Sequence, residues 1–206
     1  LLRQPNLPSR ARLESVPFHP QTKHQCGPAS LAMVLSWSGA DATPAGLRKE
    51  VYTPGRQGSM QQDLQAAARR RSRLAYEISG TAELLRELAA GHPVLVLQNL
   101  GLSWYPKWHY AVAIGYDLEE REVILHTGVS EAAPTDLDTF AATWRRSESW
   151  GLVVLQPGTL PATAERERYL RAVLGLERAK RYRAAARAYR AALKRWPDSL
   201  TAALGR

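Results

Sequence analysis

A single cysteine, Cys26, among 206 residues excludes any disulfide within the chain and leaves one thiol for whatever thiol chemistry there is. Apolar runs are short and cut by glycine, proline or charge, so no stretch of the roughly 18 apolar residues that cross a bilayer occurs. Histidine is scarce, at five, and no His-x-x-x-His or paired-cysteine spacing exists, so no zinc site is expected and no cofactor is called for. A phosphate-loop motif is absent, which argues against a fused ATP-driven unit. Zinc-finger, RNA-recognition and interleaved aromatic-basic motifs are absent as well, and nucleic acid is not an expected partner. The chain also begins at Leu1 without methionine, the mark of a processed or trimmed product with room for a signal peptide or lipid tether upstream.

What is present speaks for a folded protein. Hydrophobic residues make up 45% and there are six tryptophans, enough apolar surface to offset chain entropy. The length suits one domain plus a small appendage. The net charge of +9 is uneven: Ala164 to Arg206 holds twelve Lys or Arg against four Asp or Glu, and the preceding residues hold sixteen against fifteen. The basic character therefore belongs to the tail, where it suits a solvated helix face ahead of contact with nucleic acid, acidic lipid or an acidic partner.

Along the chain, "LLRQPNLPSRAR" with the residue after it reads as a Pro- and Arg-rich leader over 1–13. Gly27-Pro28 is a good helix entry, because proline at the first turn gives up an amide that would be unpaired anyway. The apolar run from Pro28 to Trp37 then predicts a largely buried helix with Cys26 at its start. Further helices are expected over Ser59–Arg73 and Thr81–Gly91. Strands are expected over Pro93–Leu100, His109–Asp117, Glu122–Gly128 and Trp150–Gly158, the middle two joined as a hairpin through "LEER". Helices first and strands later predict an α+β domain over 14–160. The segment 164–206 predicts a small all-α hairpin. Its spacing of Tyr182, Ala185, Tyr189, Ala192, Leu193 and Pro197 is similar to a tetratricopeptide repeat, either the start of an array or a hairpin docked on the main domain.

Cys26 admits two readings. One is a buried small hydrophobe, the commonest fate of a lone thiol. The other is a nucleophile, since the free amides and dipole of a helix start favour a thiolate there. A nucleophile needs a base, and His109 is the best placed: it opens a strand pattern that would hold it rigid. Cysteine early and histidine on a later strand is the chain order of papain-type enzymes. His19, His24 and His92 fall in loops beside Pro or Lys and read as solvated. Trp104, Tyr105 and Trp108 either line a cleft or pack under a loop.

"VPFHPQTKHQCGPASLAMVL" resembles the C39 group of papain-like cysteine peptidases, and the likeness continues through "GSMQQDLQAAARRRSRLAYEI", "LLRELAAGHPVLVLQN", "HYAVAIGYD" and "TFAATWRRSESWGLVVLQPG", over about residues 14 to 158. It implies a papain-like fold, with N-terminal helices packed on an antiparallel sheet. It also implies Cys26 as nucleophile, His109 as general base and Gln21 as side-chain oxyanion donor beside the Cys26 amide. Two departures stand out near the cysteine: the Gln21–Cys26 gap is one residue shorter than in bacteriocin-processing members, and Gln25 replaces an aspartate. A third lies at the position where the group carries the aspartate that orients the imidazole. Here Thr127 stands there, with Asn99 and Asp117 as other acceptors.

The resemblance implies a thiol peptidase that cuts a peptide or protein beside small, Gly-Gly-like residues. The missing aspartate supports the rival reading, an inactive peptidase-like module that holds a partner in its cleft or on its tail. Helical-repeat members of the group imply an exported, periplasmic or lipid-anchored bacterial protein.

Overall fold

The computed structural model describes residues 7–21, 25–56, 58–102 and 104–205. Its centre is a seven-stranded sheet in which every pairing is antiparallel. The strands are β1 (Arg10–Arg12), β4 (Leu74–Ser79), β5 (Val94–Asn99), β6 (Trp108–Asp117), β7 (Glu122–Thr127), β8 (Ser130–Asp136) and β9 (Trp150–Leu155). They run in the order β4-β9-β5-β6-β7-β8, and β1 pairs with the far end of β6. A two-stranded ribbon, β2 (Tyr52–Thr53) with β3 (Gly58–Ser59), stands apart.

The helices around the sheet are α1 (Cys26–Trp37), α2 (Pro44–Val51), α3 (Gln61–Arg70), α4 (Thr81–Ala89) and α5 (Leu137–Arg145). Helix α1 is apolar on every side, and a helix of that kind belongs in a core. Gly27 through Leu35 are all buried, and α1 packs on β5, β6 and β9 and against α2 and α3. Truncating one of these side chains, Leu31 for example, should cost about 2–5 kcal/mol.

Sequence and structure differ in places. Arg10–Arg12, inside the segment expected to be a leader, adds a strand to the sheet, and Leu13 is already in the core. The second helix spans Gln61–Arg70 and stops short of Arg73, because the chain leaves it at Arg71 and reaches Ser72 with positive φ, and β4 follows in a stretch for which no element was expected. Helix α2, strand β8 and helix α5 fall in stretches whose patterns gave no clear period. In α2 the signal was local: Thr43 caps the helix by accepting from the Gly46 amide, with Pro44 at the first position.

The tail forms α6 (Arg166–Arg178), α7 (Tyr182–Arg195) and the short α8 (Leu200–Leu204). Helices α6 and α7 pack together, with Ala185, Ala188 and Ala192 buried between them beside Tyr169 and Tyr189. The hairpin is docked on the main domain, with α6 lying against β4 and α3. The fastening lies at the connection. The Glu87 carboxylate, fully buried on α4, accepts from the Thr163 amide and hydroxyl, the Ala162 amide and His92. Arg168 adds a two-pronged ion pair to Glu83, and the Tyr76 hydroxyl donates to the Thr163 carbonyl. His92 is thus a partner of Glu87 and not a solvated loop residue, while His24 lies outside the described residues.

Candidate active site

The sheet and α1 bring four segments to one place. The start of α1 meets the start of β6: a Cβ built on Gly27 would fall 2.5 Å from Ser59 Oγ and 3.5 Å from Tyr110 Cδ2, so only glycine lets the helix approach this closely. From the N-terminal side, the Gln21 amide donates to the Gly128 carbonyl at 2.8 Å, and the Gly128 amide returns a bond to Gln21 Oε1 at 3.1 Å. Gln21 Nε2 then donates to Ser30 Oγ in the second turn of α1 and to the Tyr110 carbonyl. Gln21, Cys26-Gly27, His109-Tyr110 and Thr127-Gly128 are therefore stitched into one cluster.

Within it, His109 Nε2 lies 2.7 Å from Thr127 Oγ1. The strand register accounts for this. Val112 faces His126 across β6 and β7, so the next pair along sets Thr127 beside Ala111, one diagonal step from His109 on the same face. Nδ1 of His109 has no hydrogen-bond partner among the described residues. Burial first, and then the positive charge of Lys107, hold the His109 pKa below its ordinary value, which favours the neutral ring. Neutral, with Nε2–H donated to threonine, the ring keeps its Nδ1 lone pair free to take a proton.

Cys26 is half-buried at the first position of α1, and among the described residues no side chain caps that helix start. The thiol lies near enough to Tyr110 for its charge, after burial, to push the phenol's pKa up. Among the described residues no hydrogen bond joins Cys26 to His109.

Gln21 is placed differently from its expected role. An amide NH2 has two hydrogens, and here both are spent, on Ser30 and on Tyr110. It serves as a brace between α1, β6 and the β7 end, and offers no free donor to an oxyanion in this arrangement. The alternative acceptors for His109 are also engaged. Asn99 Oδ1 takes the Gly101 and Lys107 amides, and Asp117 sits at the far end of β6, capping the turn at Glu119 and Glu120. His126, next to Thr127, has both nitrogens committed, to the Val16 carbonyl and the Ala132 amide.

Sequence reasoning passed over Ser30, whose signal was a polar residue one helical turn after Cys26 in an otherwise apolar helix, and Tyr110, whose carbonyl and ring both serve the cluster. No group of three or more metal-ligating side chains exists among the described residues.

A sequence-family model, the Peptidase_C39 like family, matches residues 13–151. The chain belongs to that family. Solved structures of similar fold agree with the assignment. A putative C39-like peptidase from Bacillus anthracis is 19% identical with a TM-score of 0.60, over 71% of this chain and 97% of that one. The peptidase domain of Streptococcus ComA, a bifunctional ABC transporter of a quorum-sensing pathway, is 20% identical with a TM-score of 0.55, over 68% and 98%. A double glycine motif protease from an AMS/PCAT transporter, solved with its leader peptide, is 21% identical with a TM-score of 0.55, over 70% and 93%. No curated protein matches the chain. The C39-like match runs from Leu13 to the first residues of β9, so it takes in α1 to α5 and β2 to β8 and covers neither β1 nor the tail.

Proposed function

We propose that this C39-like chain is a cysteine peptidase in which Cys26 is the nucleophile, His109 the general base and Thr127 the group that orients the imidazole. The carrying observation is the 2.7 Å contact from His109 Nε2 to Thr127 Oγ1, which leaves Nδ1 for the thiol proton. In the reaction, Nδ1 takes the proton of Cys26 and the thiolate adds to the scissile carbonyl. The tetrahedral oxyanion forms at the α1 start, where the Cys26 amide and the helix dipole favour negative charge. The imidazolium then gives its proton to the leaving amine. Water, deprotonated by the same ring, releases the acyl group from sulfur. Gln21 joins the oxyanion donors only by giving up Ser30 or Tyr110. Threonine orients the ring but supplies no negative charge to the imidazolium, so a slower enzyme than one with a carboxylate there is expected.

The substrate class proposed is a peptide with small residues at the cut, in keeping with the structural neighbour solved with a leader peptide. The tail is proposed as a tetratricopeptide-like partner-binding hairpin, on the sequence spacing of Tyr182, Ala185 and Tyr189.

The test is the rate of iodoacetamide alkylation across pH in the native protein and in His109→Ala. One cysteine makes the signal unambiguous. Reactivity that persists well below the free-thiol pKa of about 8.5, and that moves upward in the variant, supports the enzyme. A profile that rises only near that pKa, unchanged by the variant, favours the second reading, a peptidase-shaped binding module. That reading draws on the spent Gln21 donors and the missing carboxylate.

A further inference from the structure

Beside the site mouth, the connection from β5 to β6 projects a set of large apolar side chains into solvent. Leu102 is 53% exposed, Trp104 79%, Tyr105 73% and Trp108 53%. Exposed aromatic clusters of this kind are uncommon on a protein surface without a partner.

The projection is held in shape. Asn99 Oδ1 accepts the amides of Gly101 and Lys107, and the Leu100 amide donates to the Lys107 carbonyl. The Tyr105 amide donates to the Leu102 carbonyl. Arg146, at the end of α5, donates to the Gly101 carbonyl at 2.6 Å. A Cβ on Gly101 would fall 2.3 Å from the Tyr105 carbonyl oxygen, so this tight crossing needs glycine. Every one of these braces acts on backbone, and the aromatic rings are left outward.

The charge on the connection and on the end of α5 that braces it is basic. Lys107 is exposed within the connection, Arg146 donates to it, Arg145 is exposed next to Arg146, and no Asp or Glu occurs from residue 88 through 116.

We propose that the β5–β6 connection is an interfacial membrane anchor, with Leu102, Trp104 and Tyr105 entering the headgroup region of an anionic bilayer and Lys107, Arg145 and Arg146 facing its phosphates. A convex, braced projection suits a fluid surface, whereas ligands of fixed shape are taken in concave sites. Tryptophan and tyrosine with a basic rim are the side chains that settle at a membrane interface. The consequence is positional: the anchor leads straight into β6, so the strand that carries His109 would begin close to the lipid surface, with Trp108 and His109 on its opposite faces. The anchor stands whether or not Cys26 is a nucleophile.

The test uses the full chain with vesicles of phosphatidylcholine alone or mixed with phosphatidylglycerol, the acyl chains brominated in a parallel set. Expected are co-sedimentation with the mixed vesicles, quenching of tryptophan fluorescence by bromine, and a loss of both by about tenfold or more in Leu102→Ser/Trp104→Ser. Lys107→Gln/Arg145→Gln should lose the dependence on phosphatidylglycerol and keep the residual quenching. The thermal midpoint should hold in both variants, since the substituted side chains are exposed. The proposal is overturned by absence of binding to the mixed vesicles. It is equally overturned by binding that is unquenched and unchanged in the apolar variant, since the basic tail then carries it. A lipid-free self-association abolished by Leu102→Ser/Trp104→Ser would overturn it too, with a second copy as the occupant.

Discussion

His109 with Thr127 and Glu87 with His92 and Thr163 are both small polar clusters in an apolar setting, yet they are built to opposite ends. Around Glu87 the carboxylate meets two amides, a hydroxyl and an imidazole. At His109, among the described residues, one ring nitrogen has a partner and the other has none, and no side chain caps the helix start at Cys26. A buried network with every member paired rigidifies a structure, while spare capacity held in fixed geometry is what a reaction needs. His126 sharpens the contrast: one strand over, with both nitrogens bonded, it is structural.

The largest expected effect breaks the reactive side. His109→Ala should lower peptide hydrolysis by about 10²–10⁴-fold, the usual worth of a general base, with little change in unfolding. Breaking the other side should do the reverse. Glu87→Ala strands the Thr163 and Ala162 donors, and chemical denaturation should show a loss of about 3 kcal/mol, or roughly a hundredfold in the folding equilibrium. Alkylation of Cys26 in the folded protein should be unaffected.

A smaller change should make the reactive cluster stronger. In Thr127→Asp a carboxylate beside the ring raises the His109 pKa and stabilises the imidazolium, so Cys26 alkylation near pH 5 should increase about tenfold. No increase would mean that Thr127 does not orient the reacting ring.

The smallest effect concerns pH and stability. Both pKa values are lowered in the folded state. For His109 burial and then Lys107 are the causes; for Glu87 burial pulls upward but the bonds from His92 and Thr163 outweigh it. The unfolded chain therefore binds more protons in each window. Stability should begin to fall below about pH 6.5 through His109 and fall again below about pH 4.3 through Glu87, each loss complete once the pH passes the folded pKa. In His109→Ala the first decline should vanish and the second remain.

Much of this was legible along the chain. Helix α1 was readable because an unbroken apolar run after Gly-Pro has few other solutions, and β5, β6, β7 and β9 because β-branched runs between breakers are strong local signals. Helix α5 was not, since its buried face rests on Leu137, Phe140 and Trp144 among polar residues, and the contact with the sheet gives it a partner. Within the candidate site, Cys26 and His109 were proposed from their order and local pattern and Thr127 from the family resemblance. That Gln21 spends both hydrogens as a brace could not, because its partners Ser30 and Tyr110 are brought to it only by the meeting of α1 with β6.

The amino-acid order alone determined the single thiol at a helix start, the histidine at a strand start, the threonine at the end of β7 and the basic tail. These are properties of composition and of neighbours within a few residues. The register of β6 on β7, the docking of the tail through Glu87 and the outward set of the aromatic connection were decided by tertiary structure. The hairpin register rests on its turn and on which face is buried, the other two on groups tens of residues apart, and no local period encodes which distant carbonyl or carboxylate will satisfy a given donor.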